Sequence, residues 1–98
     1  MILLKVNKCY IDYFNEHDAT FIKVLEDVGS SVVECEVVNF SLQSIFKKRI
    51  IDKFEIEPNE KFFEIKPEEY EQAKYLIQNI NTNKELLLEH IQGLTFRE

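Results

Sequence analysis

The first forty positions contain three segments with the residue patterns of β-strands. Residues 1–14 place apolar side chains on both sides of a strand and are interrupted by Asn7 and Lys8, and alternating runs follow at 20–26 and 32–40. Short runs of turn-forming residues separate the three segments. Consecutive strands with short connections pair side by side, so the pattern predicts an antiparallel β-meander over residues 1–40.

The next segment, 41–66, contains an ambiguous stretch followed by two short alternating runs. Apolar residues recur at helical spacing between positions 42 and 54 and favour a helix, while the adjacent Ile50 and Ile51 keep a fourth strand open as the alternative. The alternating runs at 54–57 and 63–66 flank Pro58, which suits a tight turn, and they predict a hairpin.

The last part of the chain, 67–98, has helical signals. Pro67 fits the first position of a helix, and Asn79 begins a run of residues that stop one. Thr82 has the spacing of a capping residue for a second helix, and Gly93 suits its C-terminal cap. The apolar residues predicted to form one stripe on that second helix are Leu87, Leu88, Ile91 and Leu94, with Leu86 near its edge.

These elements predict a single α+β domain over residues 1–98, with an antiparallel meander, a hairpin and two C-terminal helices packed on the sheet. A small, partly open barrel is the alternative, because short antiparallel strands tend to curl. The 98 residues are 45% hydrophobic and contain no apolar run approaching the length of a membrane span, which predicts a cytoplasmic protein with reduced cysteines.

Charge is unevenly distributed along the chain, whose formal net charge is -6. The first fifty residues are close to neutral, but the segment from Glu55 to Glu71 contains seven glutamates and only two lysines. A surface of this sign attracts basic partners and repels phosphate backbones. The residues predicted to form this acidic surface are Glu55, Glu57, Glu60, Glu64, Glu68 and Glu71.

The sequence carries no strong signal for catalysis. Its two glycines are isolated, so no phosphate-binding loop is present. Cys9, Cys35, His17 and His90 match the ligand types of a zinc site, but their spacing lacks the close pairs of one, and we predict no metal and no cofactor. A cysteine-dependent enzyme using Cys9 or Cys35 is the weakest function hypothesis, because both cysteines lie in apolar, strand-like surroundings.

Two binding hypotheses are therefore favoured over the cysteine-dependent enzyme. The favoured one is a non-enzymatic module that binds a protein partner, basic or itself nucleic-acid-binding, through the acidic surface, as an inhibitor or accessory factor. The alternative is a small-ligand or nucleotide pocket in a curled sheet, with Tyr10, Tyr13, His17 and Lys23 near its mouth. Direct nucleic-acid binding is disfavoured by the acidic surplus, and the apolar stripe of the last helix leaves a homodimer open.

Overall fold

The structure, a computed structural model, describes residues 4–15, 18–29, 32–50 and 62–95. In these residues five antiparallel strands form one sheet in the order β4-β3-β2-β1-β5, with two helices packed on it. The elements are β1 (Cys9–Asn15), β2 (Asp18–Gly29), β3 (Val32–Asn39), β4 (Ser44–Ile50), β5 (Phe62–Ile65), α1 (Pro67–Gln78) and α2 (Ile80–Thr95). The predicted α+β class and the meander of β1, β2 and β3 are confirmed.

The interruption predicted at Asn7 and Lys8 is a turn that precedes β1. Asn7 has a left-handed backbone with φ 68°, and the Lys8 N–H donates to the Lys5 carbonyl at 3.1 Å. The Asn7 N–H donates to the Val24 carbonyl at 2.9 Å, which ties the turn to β2. As a result, the first strand begins only at Cys9.

The helix favoured over 42–54 is wrong for residues 44–50, which form strand β4, and the alternative of a fourth strand is confirmed there. A tight turn after β3 reverses the chain: Gln43 has φ 49°, and the Asn39 side-chain oxygen accepts the Leu42 N–H at 2.7 Å. The chain then pairs with β3 from Asn39 opposite Ser44 to Val33 opposite Ile50. Backbone pairing with a neighbouring strand therefore overrides an apolar spacing that fits a helix equally well.

The sheet is open, and the barrel alternative is wrong. Among the described strands, β4 and β5 lie at opposite edges of the sheet. β5 is the second half of the predicted hairpin, and its described neighbour is β1, with Cys9 opposite Ile65. The other half of that hairpin, 54–57, lies outside the described residues.

The sheet buries apolar side chains on both faces. The face under the helices, here called the helix face, carries Cys9, Ile11, Phe21, Val38 and Ile65, which pack in one core with the two helices. The opposite face contributes a second core cluster of Leu4, Tyr10, Ile22, Val24, Val33, Cys35, Val37 and Phe62. Strand alternation thus supplies two cores, as the two-sided apolar pattern of 1–14 implies.

The two helices follow each other almost without a break. α1 begins at Pro67 as predicted, and Asn79 separates it from α2. The predicted start of the second helix at Thr82 and its cap at Gly93 are wrong, because α2 already begins at Ile80 and continues to Thr95. Its first turn forms around Asn79, whose carbonyl accepts the N–H of Asn83 at 3.0 Å.

A polar network joins α1 to the sheet. The buried Tyr70 hydroxyl donates to the Glu36 carboxylate of β3 at 2.8 Å, and the Lys74 ammonium contacts the same oxygen at 2.9 Å. Burial raises the pKa of Glu36, but the hydrogen bonds from Lys74 and Tyr70 outweigh it and hold this pKa below its ordinary value. The network therefore fixes how α1 sits over β3.

Candidate partner-binding surface

The described part of the acidic surface lies where β5 leads into α1. Lys66 links the two elements with an extended backbone, and Pro67 occupies the first helical position. The Lys66 N–H donates to the Glu69 carboxylate at 2.8 Å, which satisfies a backbone donor at the start of the helix. The junction is therefore a defined corner that carries carboxylates on both sides.

Three of the six predicted carboxylates fall within the described residues, and all three are exposed. The side chains of Glu64 and Glu71 are 54% and 56% exposed, and Glu68 is exposed between them in sequence. Glu64 is opposite Tyr10 in register, on the face away from the helices, whereas Glu68 and Glu71 belong to α1 on the helix face. The acidic surface thus curves around the β5 edge.

The remaining predicted members of the acidic surface, Glu55, Glu57 and Glu60, lie outside the described residues. All three described carboxylates act electrostatically on one buried thiol, that of Cys9, whose pKa each of them raises in addition to the larger effect of burial. Glu64 lies on β5 and Glu68 and Glu71 lie in the first turns of α1, so all three belong to the β5–α1 corner.

Lysines balance part of this negative charge. The Lys8 ammonium lies 3.8 Å from the Glu64 carboxylate, and the Lys23 ammonium lies 3.5 Å from that of Glu71. Exposed pairs of this length contribute little to stability and exchange readily with other cations. Glu68 forms no ion pair with any residue that the structure describes.

An open groove of about 550 Å³ adjoins Glu64 on this corner. We call it the β5 groove; its lining residues are Val6, Asn7, Lys8, Glu64, Ile65, Lys66 and Pro67. Val6 is 44% exposed, so this part of the apolar wall is accessible to solvent. The groove combines apolar walls with charged side chains of both signs.

The groove is built on fixed backbone. Besides the bonds made by Asn7 and Lys8 within the turn, the Val24 N–H donates to the Lys8 carbonyl at 3.1 Å. The other wall is the end of β5, which is paired with β1 through Ile65 and Cys9. Because both walls are hydrogen-bonded to the sheet, a partner would meet a surface that is already ordered.

Sequence reasoning missed this groove, because its walls come from segments almost sixty positions apart. The break at Asn7 and Lys8 was a usable signal for a turn, yet nothing local indicates that Pro67 faces it. Val6 was predicted as part of a strand rather than as an exposed wall. Lys8 was likewise not singled out, although it pairs with Glu64.

The described residues of the alternative ligand pocket, Tyr10, Tyr13 and Lys23, do not form one site. Tyr10 is 1% exposed, stacks on Phe62 with ring centroids 5.9 Å apart and belongs to the opposite face. Tyr13 packs against the core of the helix face, and Lys23 is engaged by Glu71. His17 lies outside the described residues.

The two cysteines are completely buried and lie on opposite faces of the sheet. Cys9 belongs to the core under the helices, and Cys35 belongs to the other core. Burial is the main reason that the pKa of each thiol rises from 9.0 to about 11. The thiolate, which is the nucleophilic form, is correspondingly scarce at neutral pH.

We expect both thiols to react with iodoacetamide at least about a hundredfold more slowly in the folded protein than in 6 M guanidinium chloride at pH 7, because two pKa units reduce the thiolate population by that factor. Mass spectrometry of timed aliquots measures both rates. A cysteine that labels as fast in the native protein as in the denatured one would contradict this and revive the cysteine-enzyme hypothesis.

His90 has a structural contact in the same region. Its Nε2 atom lies 2.8 Å from the Glu69 carbonyl, so this nitrogen carries a proton and donates, and its ring stacks on Phe21. The histidine thereby joins α2 to α1. The described residues contain no cluster of three or more histidine, cysteine or acidic side chains suited to a metal ion.

No family model, curated protein sequence or solved structure matches this chain. In the described part of the chain, neither helix has the length and apolar character needed to cross a membrane.

Proposed function

We propose that this protein is a non-enzymatic binding module that engages a protein partner through the acidic surface and the β5 groove. The observation that carries the proposal is the placement of an exposed apolar wall, Val6, in an ordered groove whose rim includes Glu64. Apolar anchors surrounded by charged rims are a common arrangement at protein interfaces.

The carboxylates and apolar side chains at the β5–α1 corner indicate what kind of partner would bind. Glu68 and the exchangeable pairs of Glu64 and Glu71 favour a basic surface, and the net charge of -6 favours the same partners at long range. An apolar side chain between the partner's basic residues would contact Val6 and Pro67 in the groove. A basic protein with an exposed apolar side chain has both features, and it includes the case of a protein that itself binds nucleic acid. The contact would inhibit or assist that partner.

The buried cysteines support a binding role over a catalytic one. Their raised pKa values and their separation on two faces of the sheet offer neither a reactive thiol nor a pair of thiols acting together. Binding requires only the exposed groups already described at the β5–α1 corner.

The test is a quantitative pull-down from lysate of the native host with three versions of the chain. The first is the wild type, and the second carries Glu64→Lys, Glu68→Lys and Glu71→Lys. The third is a control of equal net charge, whose exposed substitutions lie on other elements: Glu26→Lys, Glu85→Lys and Glu89→Lys.

We expect a basic protein that the wild type and the control recover and that the Glu64, Glu68 and Glu71 variant recovers about tenfold less, since reversing three rim charges removes attraction and adds repulsion. Raising the salt concentration should lower wild-type recovery. A separate Val6→Asp variant tests the groove itself. Equal recovery by all four proteins would contradict the proposal, and equal loss in both triple variants would reduce it to an effect of net charge.

A further inference from the structure

The opposite edge of the sheet has the reverse charge. β4 is an edge strand, and its outer side pairs with no strand in the part of the chain that the structure describes. Its seven residues, Ser44–Ile50, include three consecutive cations, Lys47, Lys48 and Arg49, and no acidic residue. In a chain of net charge -6, this is a local concentration of positive charge at a backbone edge that no described strand covers.

The three cations point to both sides of the strand. Lys47 and Arg49 share one face with Ile45, and Lys48 shares the other with Phe46, which is 37% exposed. Lys47 is opposite Glu36 in β3, but that carboxylate already receives Lys74 and Tyr70. None of the three cations forms an ion pair with a residue that the structure describes.

Space for a ligand is present beside these side chains. A cavity of about 200 Å³ is lined by Glu34, Lys47, Lys48 and Arg49. The cavity lies against the same three cations and also contacts Glu34 of β3, so it gives room beside the cations for a bound acidic side chain.

We propose that β4 receives an extended acidic peptide segment of a partner protein as an additional antiparallel strand. An edge strand offers a row of backbone donors and acceptors that an extended peptide completes, and side chains at alternate positions supply selectivity. Read from its N-terminus, the segment places acidic residues opposite Arg49, Lys48 and Lys47 and an apolar residue opposite Phe46. It contacts the sheet edge remote from the β5 groove, so this interaction is independent of the proposed function.

Two other occupants fit the observations less well. A second copy pairing β4 with β4 would bring two clusters of three cations close together, which costs energy. A nucleic acid would meet the three cations but would leave the backbone edge unused, and the net charge of -6 repels it.

The experiment measures binding of a fluorescent nonapeptide to the intact protein in low salt. The peptide contains three glutamates followed by a valine, flanked by threonine and valine residues. A second peptide replaces the glutamates by glutamine. Two further peptides carry N-methyl groups on alternate residues, in the two opposite phases. Because only alternate N–H groups of an added strand face the sheet, strand addition predicts that one phase abolishes binding and the other is tolerated.

Fluorescence anisotropy gives the affinities, and amide chemical shifts locate the peptide on the protein. We expect saturable binding with shifts concentrated in Ser44–Ile50, and affinity at least about tenfold lower for the glutamine peptide. The Lys47→Gln and Arg49→Gln double variant should bind roughly two- to thirtyfold more weakly, whereas the matched exposed control Lys5→Gln and Lys84→Gln should bind like the wild type.

Four results would overturn the proposal. They are no saturable binding up to about 1 mM peptide, equal tolerance of both N-methyl phases, tighter binding of a single-stranded oligonucleotide than of the peptide at this strand, and self-association through Ser44–Ile50 that the Lys47→Gln and Arg49→Gln variant strengthens. Circular dichroism of each variant confirms that a lost interaction is not a lost fold.

Discussion

Replacing Tyr70 with alanine is expected to lower the free energy of unfolding by about 3–5 kcal/mol, the range for removing a large buried aromatic side chain. Tyr70 is fully buried at the centre of the core between the helices and the sheet. The substitution leaves a cavity there and also removes the hydroxyl that binds Glu36. Urea unfolding followed by circular dichroism measures the loss.

The Tyr70→Phe variant separates the hydrogen bond from the packing. It keeps the ring, and we expect it to cost about 1–2 kcal/mol at pH 7, because the partly buried Glu36 carboxylate loses a charge-assisted donor. The exposed Tyr75 provides the control, and Tyr75→Phe should change stability by less than about 0.5 kcal/mol. If Tyr70→Phe is as stable as the wild type, the network does not hold α1.

The cost of Tyr70→Phe should also depend on pH. Because the pKa of Glu36 is lower in the folded protein than in the unfolded chain, the network stabilises the fold above the ordinary carboxyl pKa, and this contribution disappears as the pH falls through the folded value. The difference between wild type and Tyr70→Phe should therefore be larger at pH 7 than at pH 3. A difference that grows on acidification would contradict the lowered pKa.

Local patterns predicted the elements whose signals are strong within a few residues. Alternation and turn residues located the meander, and Pro67 located the start of α1. Strand faces follow from alternation as well: Val33 and Cys35 are two positions apart on β3 and lie in one core together. Such features are determined by residues that are close together along the chain, so they can be predicted from the sequence alone.

The errors occurred where contacts between distant residues decide the structure. The apolar spacing of 42–54 fits a helix or a strand, and pairing with β3 made residues 44–50 a strand. Glu36 is a charged residue between apolar neighbours of a strand, and nothing near it in the sequence indicates that its carboxylate binds Tyr70, 34 positions away. The β5 groove has the same origin, because no local signal relates the turn at Asn7 to Pro67.

The difference between the predicted helix and the observed strand β4 also changes where the charged side chains lie. As a helix, 42–54 would have carried Lys47 and Lys48 on a solvated helical face, whereas β4 displays them along an edge that no described strand covers. Among the described strands, the sheet has three cations on β4 at one edge and one carboxylate, Glu64, on β5 at the other. The charge asymmetry seen along the sequence thus becomes an asymmetry across the sheet, which is the basis of both binding proposals.

Replacing Ile91 with alanine is expected to destabilise the protein by about 2–5 kcal/mol, because Ile91 is completely buried in the core that joins α2 to the rest of the fold. Leu87 and Leu94 are buried beside it on the predicted stripe, while Leu86 is 53% exposed. Leu86→Ala is therefore the matched control, with an expected change below about 0.5 kcal/mol.

Alanine favours helix more than isoleucine does by a few tenths of a kcal/mol, so the measured loss in Ile91→Ala understates the packing contribution slightly. Since small domains are stable by only about 5–15 kcal/mol, the thermal midpoint should fall by roughly 10 °C or more in Ile91→Ala and by little in Leu86→Ala. Comparable losses in both variants would mean that α2 does not bury the face assigned to it.

The orientation of α2 also determines which of its side chains remain available to a second subunit. Its apolar stripe is already packed on the sheet and α1, so exposed residues such as Leu86 are the ones left for that contact.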